Sequence, residues 1–178
     1  MAFDALPSGV RLLPDLVSPA QEEALVADAD AGTWEEHAGI RTQQFGWWRP
    51  DLAGAAGEAR FLGALPDWVE PLVRRLHVLA PFDYAPDHLV LRDIRAGARP
   101  ALDEHKGRTV ATLALLGDLP MRFHRRRGGG TGHLIQARRS LLVLTERFDA
   151  AWDRTVLPDA PARSCARLLT LTFRRMET

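Results

Sequence analysis

His88-Leu89-Val90-Leu91, running on into Arg92-Asp93-Ile94-Arg95-Ala96-Gly97, is where the chain changes period. The four residues from His88 read as a strand. Val110–Leu116 reads as a second, Leu134–Leu144 as a third and Leu168–Arg174 as a fourth, with Gly and Pro in the gaps. Upstream the pattern is helical. Ser18-Pro19-Ala20-Gln21 opens a helix, with Ser18 as cap, Pro19 at the first helical position and Gln21 closing a capping box. That helix should run through Glu22, Leu25 and Val26 to about Asp30. A second starts near Pro66-Asp67, with Trp68, Leu72 and Leu76 as its apolar stripe and Pro71 tolerated in its first turn. Helices first and strands later predict an α+β fold, in which a helical part (about 1–80) buttresses a β-rich sandwich or barrel (about 86–176).

A chain of 178 residues fits one domain, 1–178, and it shows no internal repeat or dividing linker. Its 46% hydrophobic and 26% charged residues are those of an ordinary globular protein that can bury a core. No apolar run is long enough for a membrane-spanning helix. The opening MAFDALPSGVRLLPDL lacks the basic start and continuous apolar stretch of a signal peptide. The one cysteine, Cys165, excludes an internal disulfide framework and a Cys-based zinc site. These features predict a cytoplasmic domain with no membrane partner.

The formal net charge of zero hides a split. Residues 1–88 carry 6 basic and 14 acidic side chains, and residues 89–178 carry 17 and 9. A basic second half permits an anionic partner such as nucleic acid, although mutual neutralisation of the halves within one fold is the simpler expectation. Arg125-Arg126-Arg127-Gly128-Gly129-Gly130-Thr131-Gly132 reads as a solvated hairpin tip. It is no phosphate-binding signature, because neither Gly-Lys-Ser/Thr nor a helix follows it.

Several phrases, in order, resemble the AlkB-like branch of the 2-oxoglutarate/Fe(II) dioxygenases over roughly residues 8–175. Arg41-Thr42-Gln43-Gln44-Phe45-Gly46-Trp47 resembles that family's Arg-x-x-Gln-x-Phe-Gly lid segment, and Leu65-Pro66-Asp67-Trp68 the helix that follows. Pro86–Gly97 stands where the family has Asn-x-Tyr-x-x-Gly. Leu141–Leu144 and Ala151–Val156 look like the strand pair carrying the distal metal histidine. Leu171-Thr172-Phe173-Arg174 matches the closing strand. The resemblance implies a double-stranded β-helix, the jelly-roll or cupin-like core, buttressed by the N-terminal helices.

The same resemblance locates a site that departs from the family pattern. The family holds Fe(II) with His-x-Asp on one strand and a distant His. Here those positions fall on Asp103 and His105, an Asp-x-His in inverted order. Spacing i, i+2 keeps both on one side of a strand. The distant ligand falls on Arg154, whose guanidinium stays protonated and has no lone pair for a metal. The cosubstrate Asn and Tyr fall on Arg92 and Ile94, and the first of two arginines on Leu168; Arg174 matches the second. Arg167 has the wrong parity, and only a bulge could re-aim it. Arg154 is expected to fill the metal position as a cation against Asp103.

Three readings follow. In the first, the standard iron/2-oxoglutarate chemistry is lost, the positions Asp103, His105 and Arg154 are vestigial, no metal or cofactor is expected, and the cavity binds a small molecule or a protein partner. In the second, Asp103, His105, Arg154 and Arg174 serve a metal-independent acid–base enzyme, a cyclase or isomerase type, with Arg174 and Arg92 as the anion-binding positions. In the third, a true non-haem iron oxygenase works through Asp-x-His plus another ligand, for which His124 and His133 are the candidates. Trp47 and Trp48 could stack on a ligand or simply cover the core. Cys165 reads as a packing residue, and Glu35, Glu36 and His37 as a solvated turn.

Overall fold

The structure is a computed structural model that describes residues 6–37, 39–53, 56–80, 82, 84–95, 109–157 and 167–176. Twelve strands are seen among them: β1 Val10–Leu13, β2 Glu35–His37, β3 Ile40–Phe45, β4 Trp47–Trp48, β5 Arg60–Phe61, β6 His88–Arg95, β7 Val110–Leu115, β8 Leu119–Arg125, β9 Thr131–Gln136, β10 Leu141–Leu144, β11 Trp152–Val156 and β12 Arg167–Arg174. The helices are α1 Pro19–Ala31, α2 Glu70–Leu79 and the single turn α3 Glu146–Asp149. Within the described residues the strands form a large sheet in the order β1-β10-β7-β12-β6-β3-β2, a small sheet β11-β8-β9 and a ribbon β4-β5. Pairing is antiparallel throughout these ladders. Two such sheets facing each other, with helices outside the larger one, make an α+β double-stranded β-helix.

Residue pattern explains the layers. Every residue of β7 (VATLAL) and β10 (LLVL) is buried, as expected of central strands covered on both faces. In β8 buried Leu119, Met121 and Phe123 alternate with more exposed residues, the pattern of a sheet with one face in water. One apolar cluster lies between the large sheet and the helices, joining Leu25, Leu72 and Leu76 to Leu91, Leu113 and Leu171. A second lies between the sheets, joining Ile94, Leu142 and Leu168 to Met121, Phe123 and Val156. No helix among the described residues is long and apolar enough to cross a membrane.

The first helix forms as its sequence dictates. The Ser18 hydroxyl accepts from the Gln21 amide, the Gln21 side chain accepts from the Ser18 amide, and Pro19 leads the first turn. Its buried face is Glu22, Leu25 and Ala29. Glu22 accepts from the Leu116 amide at 2.7 Å and from Arg138 Nε at 2.9 Å. It thereby ties α1 to two turns that contain left-handed residues, Leu116 (φ 69°) and Arg139 (φ 64°). Burial pushes the Glu22 carboxyl up, but the bonds from Arg138 and Leu116 and the charges of Arg138 and Arg139 outweigh it and hold the group below 4.5.

Three expectations need correction. Leu134–Leu144 is two strands, because Ser140 turns the chain back toward Ala137 and Arg139 adopts a left-handed backbone. Glu35–His37 is an exposed edge strand paired with β3, since backbone pairing needs no apolar side chains. Leu141–Leu144 and Trp152–Val156 are not a pair: β10 lies in the large sheet between β1 and β7, β11 lies in the small sheet beside β8, and α3 carries the chain across. The second helix begins as a 3-10 turn at Asp67–Val69 before α2 proper.

Candidate functional site

Strand alternation sorts the central ladder into two faces. On β6 and β12 the residues Leu89, Leu91, Leu169, Leu171 and Phe173 pack toward the helices. His88, Val90, Arg92 and Ile94, with Leu168, Thr170, Thr172 and Arg174, take the opposite parity and face the small sheet. Arg92 lies between Thr42 of β3 and Thr170 of β12. The hydroxyls of Thr112 and Thr172 meet at 3.3 Å. Arg174 stands across from His88 on one side and Val110 on the other. All but Arg92 of these polar residues are buried. At the far end of the band Ile94 and Leu168 are apolar and belong to the core between the sheets.

Arg154 comes from the facing sheet. It pairs in register with Phe123 and shares the parity of Trp152 and Val156, both of which pack into the same inner core. Among the described residues, the space between the sheets is therefore bordered by guanidinium groups from both walls, with threonine hydroxyls and the His88 imidazole beside them. Such a set binds carboxylate or phosphate through charge-assisted hydrogen bonds. His88 was missed by sequence reasoning. Its signal was there: it lies four residues before Arg92 on the same strand, so it shares that face.

Arg167 does not join this set. The β6–β12 register runs unbroken from Arg167 opposite Arg95 to Arg174 opposite His88, so there is no bulge to re-aim it. Its guanidinium bonds Asp30 at 2.8 and 2.6 Å, and its Nε bonds Asp93 at 3.1 Å. Asp93 is fully buried and also pairs with Arg41, which lies over the Trp34 ring. The Arg167 hydrogen bond holds Asp30 below its usual carboxyl range, and the Asp30 bond raises Arg167 against the opposing effect of burial.

His124 and His133 are also on the wrong face for a metal between the sheets. Phe123 and Leu134 point inward, and His124, pairing with Thr131, and His133, pairing with Arg122, have the opposite parity. His124 is exposed, with the Thr131 hydroxyl 3.4 Å from its Nδ1. Asp153 faces out and pairs with Arg126 at 2.7 Å, while Arg125 lies over the Trp152 ring. The arginine hairpin is thus partly engaged with its own β11. In the segment 41–49 the Trp47 ring lies tilted against Phe61 and Arg60 lies over the Trp48 ring, and the Gln44 amide binds both backbone groups of Arg49. Asp103, His105 and Cys165 lie outside the described residues, and with them the expected contact between Asp103 and Arg154. Among the described residues no three His, Cys, Asp or Glu side chains gather as metal ligands.

No family model matches the chain. The alkylated DNA repair protein ALKBH8 homolog of Arabidopsis thaliana is 25% identical over 201 residues, a match covering 94% of this chain and 58% of that protein. The chain thus spans less than two thirds of that relative's length. The solved structure of OsALKBH1 superposes with a TM-score of 0.65 at 15% identity, covering 97% of this chain and all (100%) of the other. An oxidoreductase of the 2OG-Fe(II) oxygenase family from Burkholderia pseudomallei gives a TM-score of 0.65 at 12% identity, covering 94% and 84%. The curated relative supplies a sequence similarity and the two structures supply the fold: the chain has the double-stranded β-helix fold of the AlkB-like 2-oxoglutarate/Fe(II) oxygenases.

Proposed function

We propose that this chain uses the space between its sheets to bind a small carboxylate- or phosphate-bearing molecule, and that iron/2-oxoglutarate oxygenation is not its chemistry. The observation that carries the reading is the placement of Arg92 and Arg174 on one inner wall and Arg154 on the other, with Leu168 packed into the core. Iron needs lone-pair donors, and a guanidinium at the distal position supplies none. A 2-oxoglutarate distal carboxylate needs a cation where Leu168 instead presents a fully buried apolar side chain. Arg154 and Leu168 therefore do not fit the metal and the cosubstrate.

The test is thermal melting of the purified chain with a panel of di- and tricarboxylates and phosphorylated small molecules, and separately with Mn(II) plus 2-oxoglutarate. A ligand that binds the folded state raises Tm. The expected result is a rise with one anion class that disappears in Arg174→Gln and Arg92→Gln, and none with metal plus 2-oxoglutarate. A saturable rise that needs both metal and 2-oxoglutarate would overturn the proposal and return the chain to the oxygenases.

A second reading, a metal-independent acid–base enzyme on the same anionic ligand, is favoured by one observation. His88 is fully buried directly across from Arg174, which places an imidazole beside an anion-binding group. Once a ligand is identified, turnover that is lost in His88→Gln while binding persists would select this reading over simple binding.

A further inference from the structure

A cleft of about 440 Å³ is lined by none of the residues named above for the space between the sheets. It lies between the segment that follows β5, the start of α2, and the residues leading into β6. Leu65, Pro66, Val73 and Pro86 give it apolar walls. Phe61, 60% exposed, stands on its edge, and Tyr84, 69% exposed, precedes the wall residue Ala85. Large aromatic rings left this exposed around a concavity mark a contact surface more often than scattered apolar residues do.

The charge at the cleft is one-sided. Among the described lining residues Arg175 is the one cation, and it is already engaged: it pairs with Asp87 at 3.2 Å, donates to the Ala85 carbonyl and lies over the Tyr84 ring. Asp87 in turn accepts from the Met176 amide. Asp67 and Glu70 also line the cleft, and Glu70 is tied only to the exposed Arg74 at 3.3 Å, a screened pair that yields readily. An apolar trough with aromatic rings and two carboxylates matches an aliphatic stem that ends in a cation.

We propose that this cleft docks a segment of a partner protein that presents an arginine or lysine side chain beside an apolar residue. The aliphatic stem lies along Leu65 and Val73, the cationic head meets Asp67 and Glu70, and the neighbouring apolar residue packs on Phe61. The site is separate from the arginine-lined space between the sheets, and its ligand carries the opposite charge.

The test is a titration of the isotopically labelled chain with the capped peptide Ac-Ala-Leu-Arg-Ala-NH2 at millimolar concentration, followed by amide chemical shifts. Ac-Ala-Leu-Glu-Ala-NH2 and Ac-Ala-Ala-Arg-Ala-NH2 are the controls. Saturable shifts confined to 61–70 and 84–87 are expected, weakened about fivefold in Asp67→Asn/Glu70→Gln and by added salt. Both substitutions are at the surface, and Phe61→Ala gives an independent variant that should lose the leucine contribution. Shifts scattered over the surface, or equal shifts with the glutamate peptide, would overturn the proposal. So would the same shifts on raising protein concentration alone, which would assign the cleft to a second copy of the chain.

Discussion

Arg167 and Leu168 are neighbours on β12 and serve opposite sides of the large sheet. Arg167 reaches out to Asp30 and Asp93, binding helix α1 to the sheet, while Leu168 is fully buried between the sheets across from Ile94. One residue of register separates an ion-pair network from an apolar core. Arg167 is therefore engaged on the helix side of the sheet and does not face the space between the sheets.

Leu168→Arg tests what that inner position tolerates. A guanidinium there would enter the cluster of Ile94, Phe123, Leu142 and Phe148, with an apolar residue directly across the ladder. We expect a loss of about 3 kcal/mol or more in urea unfolding, the cost of an uncompensated buried charge. No Tm rise with 2-oxoglutarate is expected. A variant stabilised by 2-oxoglutarate when the parent is not would show that a latent cosubstrate site needs only this cation.

Asp93 and Asp30 share Arg167 but differ in burial. Asp93 is fully buried between two guanidiniums, whereas the Asp30 side chain is 42% exposed. Asp93→Asn is expected to cost about 3 kcal/mol, because it leaves Arg41 and Arg167 facing a neutral amide in a dry site. Asp30→Asn is expected to cost about 1 kcal/mol or less, since water can replace it. Equal losses in chemical denaturation would mean that the network acts as one unit and that burial does not rank its members.

Much of the fold was legible because period and capping are local properties. Ser18 with Gln21, the stripe Leu72–Leu76 and the closing strand to Arg174 needed only neighbours in sequence. Face assignment was legible too, and the parity argument against Arg167 holds because the ladder is regular. The misread parts depend on partners distant in sequence. β2 is a strand only because β3 offers it backbone groups, and β10 parts from β11 only because α3 crosses between the sheets. His124 and His133 are more often exposed strand histidines than ligands, and the structure aims both outward; that aim follows from β8 and β9 packing on Phe123 and Leu134, not from their own identity. Of the candidate site, Arg92, Arg154 and Arg174 take the strand faces that parity assigns them, and Asp103 and His105 fall outside the described residues.

Glu22 predicts a specific acid sensitivity. Its folded carboxyl is held below the ordinary 4.5, so its ionisation stabilises the fold above that value and this contribution is lost as pH falls through the depressed folded value. Asp30, lowered by Arg167 from 3.8, acts in the same direction at a lower pH. Glu22→Gln should cost about 1–3 kcal/mol at neutral pH, because the Leu116 amide and Arg138 lose a charged acceptor. Its stability should then fall less steeply than that of the parent below pH 4.5. Parallel stability–pH curves for the two proteins would assign the acid sensitivity to other carboxylates.

Gly46 is the position at which the β3–β4 connection is least able to change. It joins β3 to β4 with φ at 76°, and a Cβ built there would lie 1.8 Å from the Asp87 carbonyl oxygen and 3.0 Å from the Leu65 side chain. The first contact is with backbone, so no rotamer change relieves it. Gly46→Ala must either push β4 and β5 away from the lead into β6 or break the turn. The combined cost of the left-handed backbone and the overlap is about 2–4 kcal/mol. The damage should be local as well as global. Hydrogen exchange should rise first at Leu62, whose amide donates to the Gly46 carbonyl, and at the Arg49 amide held by Gln44. The ladder between β7 and β12 should stay protected until global unfolding. Uniform loss of protection across both sheets would show that the β4–β5 ribbon is not an independent unit and that Gly46 supports the whole core.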